Sequence, residues 1–133
     1  MDLVVDANVL FAVLIKDNFS SQLLFNEKFH LFRPEYVFIE IEEHLEEIIS
    51  KTERTIGEFY NLLEVLKRRI VLVPLEELTE YIGAAEKITP DPDDMAYIAL
   101  ALKLNGAIWS NDKELKEKQK VIKIYPTHEL VRL

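Results

Sequence analysis

The feature that most constrains the fold is a regular alternation of short apolar runs with longer stretches of helical periodicity. The runs are predicted to be buried strands over residues 2–5, 30–32, 70–73, 107–109 and 121–124. Parallel strands need long crossover connections, and helices usually supply them. The alternation therefore predicts a three-layer α/β/α sandwich with a mainly parallel central sheet.

Residues that start or stop helices delimit the stretches between the strands. Asn8 is expected to cap the first helix, Ser20 or Ser21 the second, and Pro34 fits the first turn of the third. The Asn-Gly pair at 105–106 is a helix stop. The helices are predicted, in chain order, over residues 9–15, a short segment near residue 20, then 34–50, 52–69, 75–88, 92–104 and 112–118.

Length and composition limit the class of protein. The chain has 133 residues, so residues 1–133 are expected to form a single domain. The absence of cysteine excludes a disulfide framework, a thiolate metal site and a cysteine nucleophile. No signal segment or membrane-length apolar run is evident, so a cytoplasmic location is expected, without membrane contact. The net charge of −8 repels nucleic acid, and any contact with it must be local.

Four acidic residues are expected to meet at one edge of the predicted sheet. In an open parallel sheet, ligands bind outside the carboxyl ends of the strands. Asp6 directly follows the first strand, and Asp112 comes two residues after the run "AIWS". Asp94 lies in the first turn of the buried helix that leads into that strand. Glu40 lies at the border of the apolar stripe of its own helix, a position that suits a cleft wall.

Converging carboxylates need a compensating charge. Two unit charges about 4 Å apart repel by roughly 4 kcal/mol at an effective dielectric constant near 20. Raised pKa values could relieve this repulsion, but oxygen ligands without His or Cys partners match Mg²⁺ or Mn²⁺. Such ions activate water and neutralise the charge that develops on a phosphodiester, which indicates phosphoryl hydrolysis.

Three stretches, "VVDANVL", "RPEYVFIE" and "DPDDMAYIALALKLNGAIWSND", in this order resemble the PIN domain family, including toxins of the VapC kind. The resemblance covers nearly the whole chain, and the last stretch is its most specific part. It implies a flavodoxin-like strand order of 3-2-1-4-5 and an Mg²⁺- or Mn²⁺-dependent ribonuclease. It also puts Asp6, Glu40, Asp94 and Asp112 in the catalytic, metal-binding quartet.

The same resemblance implies supporting residues and partners. Asn8 and Ser110 are expected to support the site by hydrogen bonds, with Ser110 near Asp6. The implied partners are an RNA substrate, a neutralising antitoxin and a second copy in a homodimer. Candidates to hold RNA phosphates near the predicted strand ends are Lys16, Arg33, Lys113 and Lys116.

Simpler interpretations exist for each acid. Asp6 and Asp112 could only cap helices, and Asp94 could only favour a helix N-terminus. Glu40 could be a solvated or salt-bridged residue, in which case Glu43 is the next candidate for the helix acid.

Two other functions fit the same pattern. One is a PIN-like module that holds RNA or a protein partner without cleavage. The other is a phospho-acceptor receiver domain, which groups acids at strand ends in a similar way. A receiver requires an aspartate at the end of the third strand, whereas "VLVPLEE" provides none, so this interpretation is disfavoured.

Overall fold

The computed structural model describes residues 1–16, 19–89 and 91–133, and the side chains of Phe19, Val37 and Phe38 lie outside this description. Five strands form one sheet, and each neighbouring pair is parallel. The strands are β1 (Asp2–Val5), β2 (His30–Pro34), β3 (Ile70–Val73), β4 (Ala107–Trp109) and β5 (Ile124–Tyr125). Their order is β3-β2-β1-β4-β5, which confirms the predicted order 3-2-1-4-5.

Helices cover both faces of the sheet. They are α1 (Ala7–Ile15), α2 (Phe19–Leu24), α3 (Val37–Glu43), α4 (Leu45–Lys51), α5 (Ile56–Arg69), α6 (Thr79–Ile88), α7 (Pro92–Leu104), α8 (Lys113–Lys118) and α9 (Thr127–Leu130), with a 3-10 helix at Leu75–Leu78. None of the helices within the described ranges is long and apolar enough to cross a membrane.

Two hydrophobic cores lie on opposite faces of the sheet. Successive side chains of a strand point to opposite faces. Leu3 and Val5 of β1 accordingly pack into the core with α1 and α5, whereas Val4 packs into the core with α6 and α7. The predicted three-layer architecture is therefore confirmed.

The central position of β1 creates the edge on which the site is built. Val5 at its end aligns with Trp109 at the end of β4, and the chain order reverses between these two strands. Gly106, just before β4, is required by close packing, because an added Cβ would lie 2.7 Å from the carbonyl oxygen of Asp2. Asn105 ends α7 in the left-handed conformation, with φ of 51°, as the predicted helix stop requires.

Several predicted helix starts are wrong. The first helix begins at Ala7, and its cap is Asp6 and not Asn8, because extended backbone at Asp6 turns its carboxylate toward the helix N-terminus. Ser20 and Ser21 lie inside α2 and do not cap it. The fourth predicted helix begins four residues later than expected, at Ile56, where a capping box formed by Thr55 and Glu58 starts α5.

The stretch predicted as one helix over 34–50 differs most from the structure. Pro34 is the last residue of β2, aligned with Val73 of β3, and is not part of a helix. The helical stretch is divided at His44 into α3 and α4. The stretch 75–88, which was also predicted as one helix, is a 3-10 helix followed by α6.

The C-terminal strand is also displaced from its predicted position at 121–124. The side chain of Gln119 accepts hydrogen bonds from the main-chain N–H groups of Val121 and Ile122 and donates one to the Ile122 carbonyl. These bonds hold the residues just before β5 in a turn, so that β5 begins only at Ile124.

Candidate active site

One cleft of about 510 Å³ lies at the carboxyl edge of β1 and β4. Asp6, Glu40, Asp94 and Asp112 all line it. Asp6 is the cap between β1 and α1, and Asp112 is the cap between β4 and α8. Asp94 lies in the first turn of α7, and Glu40 lies in α3. Four separate segments of the chain thus bring carboxylates to the point where strand order reverses, the usual place for a ligand site.

Ser110 joins the two acid-bearing loops. Its hydroxyl donates to Oδ2 of Asp6 at 2.6 Å and accepts from the main-chain N–H of Asp112 at 3.0 Å. The predicted proximity of Ser110 to Asp6 is therefore confirmed, and Ser110 itself is buried. Asn8 lines the cleft, and its main-chain N–H approaches Oδ1 of Asp6 at 3.4 Å.

The wall that carries Glu40 contains a buried arginine. Arg33 is fully buried, and its guanidinium donates to the Val5 carbonyl at 2.5 Å and to the Tyr97 hydroxyl at 2.7 Å. It also lies 4.5 Å from the centre of the Tyr97 ring and 3.8 Å from Oε1 of Glu40. The prediction that Arg33 contacts RNA phosphates is wrong for this structure, because the side chain has no exposed surface.

Burial dominates the electrostatics of this wall. Loss of solvent raises the pKa of the Glu40 carboxyl, and Arg33 only partly opposes that shift. Burial also raises the pKa of the hydroxyls of Tyr36 and Tyr97, which both line the cleft. The surroundings therefore disfavour the negative charge of Glu40 even though the Arg33 guanidinium lies 3.8 Å away.

Asp94 takes part in an ion pair near the surface. Nζ of Lys118 lies 2.9 Å from Oδ2 of Asp91 and 3.4 Å from Oδ2 of Asp94. Asp91 is the cap of α7. Burial raises the pKa of the Asp94 carboxyl although Lys118 lowers it, and the hydrogen bond to Lys118 lowers the pKa of Asp91.

The other predicted phosphate contacts lie outside the cleft. Lys113 and Lys116 line an adjoining groove, which shares Asp112 with the cleft. Lys116 is paired there with Glu129 at 3.1 Å. Lys16 is exposed at the end of α1 and does not line either space.

Sequence reasoning missed three participants in the cleft walls. Tyr97 follows Asp94 by three residues on α7, a spacing that puts both on one helix face and could have revealed it. Tyr36 carries no comparable signal in the sequence. Lys118 carries none either, because its contacts lie 24 and 27 residues away. Glu43, the alternative helix acid, is exposed and is not among the residues that line the cleft.

The donor chemistry of the cleft fits a hard divalent cation, since carboxylate oxygens are the ligands that Mg²⁺ and Mn²⁺ prefer. In the part of the chain that the structure describes, no group of three or more Asp, Glu or His side chains stands close enough together to hold a metal ion. The carboxylates instead have partners from the protein: Ser110 at Asp6, Arg33 at Glu40 and Lys118 at Asp94.

Comparison with known families agrees with this geometry. The model of the PIN domain matches residues 4–124. The chain belongs to the PIN domain family, whose members are generally nucleases that use divalent metal ions. A search of curated proteins gave no significant match.

Proposed function

We propose that this protein is a Mg²⁺- or Mn²⁺-dependent endoribonuclease. The observation that carries the proposal is the convergence of Asp6, Glu40, Asp94 and Asp112 on one cleft from four segments of the chain. These residues would hold the metal, whose bound water would supply the nucleophile for phosphodiester hydrolysis. The chain is proposed to act as a single PIN-like domain over residues 1–133.

The residues around the acids have positioning roles in this proposal. Ser110 fixes Asp6 through its hydroxyl and fixes the start of α8 through the N–H of Asp112. Arg33 limits the repulsion that Glu40 would otherwise meet from Asp6. The carboxylates would still have to move closer together when a cation binds, because no three acidic side chains in the described residues stand close enough to hold one.

The RNA strand is proposed to leave the cleft on the α8 side. Lys113 and Lys116 line the groove that adjoins the cleft there. On the α3–α4 side, by contrast, Glu42, Glu43 and Glu46 line the surface. Asp112 and Glu129 offset the two lysines in the first groove, so a phosphate backbone meets less repulsion there than at the second surface, where the acids have no lysine among the described lining residues.

The direct test is cleavage of labelled single-stranded RNA in Mn²⁺ and in EDTA. Asp6→Asn and Asp112→Asn are expected to reduce the rate by more than about 100-fold, because each removes a charged ligand from the cleft. Glu40→Gln is expected to act similarly, whereas the matched control Glu43→Gln is expected to retain the wild-type rate. Cleavage that survives EDTA, or that survives Asp6→Asn at full rate, would contradict the proposal.

A second candidate function is an RNA- or protein-binding PIN module without catalysis. It is favoured by the partners that the protein itself supplies to the acids. Arg33 pairs with Glu40, Ser110 donates a hydrogen bond to Asp6, and Lys118 pairs with Asp94. This function predicts RNA or protein complexes that form equally well in EDTA, with no cleavage in Mn²⁺.

The biological setting belongs to the proposal as well. By its family, the chain is a candidate toxin of a VapBC-like pair, acting on cytoplasmic RNA and neutralised by an antitoxin. A homodimer is supported by exposed apolar side chains, including Ile39 on α3 and Ile56 on α5. Co-purification with the product of a neighbouring short gene and the mass of the purified protein in solution test these two points.

A further inference from the structure

Lys118 contacts two carboxylates, of which one lines the acidic cleft and the other does not. Its ammonium lies 2.9 Å from Asp91 and 3.4 Å from Asp94. Asp94 lines the cleft and its side chain is 15% exposed, whereas Asp91 is not among the lining residues and is 32% exposed. The lysine therefore joins an acid of the proposed site to an acid outside it.

We propose that Lys118 is a displaceable counter-ion of Asp94, which competes with a divalent cation for this carboxylate and so sets the affinity of the site. The inference rests on the proposed function, because it takes the cleft to be a cation site. It adds a residue that regulates the site without being one of its ligands.

The geometry allows Lys118 to release Asp94 without losing its own charge partner. The contact with Asp91 is the shorter of the two, so the ammonium can remain on Asp91 while Asp94 turns to a cation. Lys118 is also the last residue of the short helix α8, and one third of its side chain is exposed to solvent. A flexible four-carbon stem at such a position moves easily.

The cation beside Glu40 cannot act in this way. Arg33 is fully buried, and hydrogen bonds to Val5 and Tyr97 hold it independently of Glu40. An entering cation can therefore replace the ammonium at Asp94 but has to share Glu40 with a fixed guanidinium. Control of cation affinity accordingly lies on the α8 side of the cleft.

The test is titration of the metal-free wild-type protein with Mn²⁺, followed by calorimetry or by the loss of the free-ion electron paramagnetic resonance signal. Lys118→Met keeps the length of the side chain and removes its charge, and it is expected to bind Mn²⁺ about 5- to 10-fold more tightly. Lys118→Arg keeps the charge and is expected to retain wild-type affinity. Lys116→Met is the matched control, because Lys116 lies on the same helix but pairs with Glu129.

The possible outcomes separate this inference from the proposed function. Unchanged or weaker Mn²⁺ binding by Lys118→Met, with binding abolished by Asp6→Asn, would overturn the inference and leave the metal site standing. Equal gains in Lys118→Met and Lys116→Met would also overturn it, since they would indicate a general charge effect. Wild-type binding that Asp6→Asn leaves unchanged would contradict the cleft as the metal site. Melting curves in EDTA establish that each variant is folded.

Discussion

Two cation–carboxylate pairs involve acids of the cleft, and they differ in their access to water. Arg33 approaches Glu40 at 3.8 Å from a fully buried position, whereas Lys118 approaches Asp94 at 3.4 Å with one third of its side chain exposed. The arginine has further partners inside the protein, and the lysine has one at the surface. Similar charge chemistry thus serves the fold at Arg33 and stays adjustable at Lys118.

The largest expected effect is on stability, at the buried pair. Arg33→Met removes the hydrogen-bond donor from the Val5 carbonyl and the Tyr97 hydroxyl and leaves Glu40 without its cation. The free energy of unfolding should fall by on the order of 3 kcal/mol, as measured by urea denaturation in EDTA. Lys118→Met is the surface counterpart and should unfold at nearly the wild-type urea concentration. Equal losses in the two variants would remove the distinction between the buried pair and the surface pair.

A smaller effect is expected when one partner of Arg33 is removed and the packing is kept. Tyr97→Phe retains the ring beneath the guanidinium and deletes the hydroxyl that accepts its hydrogen bond. The loss in unfolding free energy should be about 1.5 kcal/mol, because a hydrogen bond to a charged group is lost. Tyr60→Phe, at an exposed position on α5, is the control and should be close to neutral. A neutral Tyr97→Phe would mean that the hydroxyl contributes nothing to holding Arg33.

The smallest expected effects concern the pH dependence of stability at the Lys118–Asp94 pair. The pKa of Asp94 is raised, so the folded protein binds its proton more tightly than the unfolded chain does. The resulting stability is present below the ordinary aspartate pKa and is lost as pH rises through the raised value. Asp94→Asn should therefore raise the melting temperature relative to wild type at pH 7, and the gain should shrink toward pH 3.

Asp91 is predicted to behave with the opposite sign. Its pKa is lowered, so its contribution to stability is present above the ordinary aspartate pKa and is lost as pH falls through the lowered value. Asp91→Asn should lower the melting temperature at pH 7 and have less effect in acid, since Asn is also a good helix cap. Melting temperatures in EDTA from pH 3 to 7 test both variants, and parallel curves for the two would contradict the assignment.

The elements that were predicted well are those whose signals are local. The bounds of β3, β4 and α7 match the prediction, because β-branched or apolar runs, Pro92 and the Asn-Gly stop define them within a few residues. The strand order and the edge that gathers the acids were correct as well, and the family resemblance supplied that order. Asp6 and Asp112 lie at the ends of adjacent strands, so parallel pairing brings them together.

The elements that were predicted wrongly depend on contacts distant in the sequence or on competition between caps. Pro34 could begin a helix or end a strand, and pairing with β3 decided for the strand. Arg33 was predicted to lie just after a strand over 30–32, but β2 continues to Pro34, and the buried guanidinium donates to Val5 and Tyr97. The displacement of β5 has a local cause instead, since the Gln119 side chain bonds to Val121 and Ile122 and holds them in a turn.

By itself, the sequence determined a parallel α/β fold and the edge at which its acids gather, because periodicity and strand-end positions are carried by neighbouring residues. Only the tertiary structure decided how those acids are neutralised. The partners of Glu40 and Asp94 are cations from other segments, and their burial depends on the packing of the whole sheet. Solvent exposure, which makes Arg33 fixed and Lys118 displaceable, is a property of the assembled layers and is not encoded in either residue type.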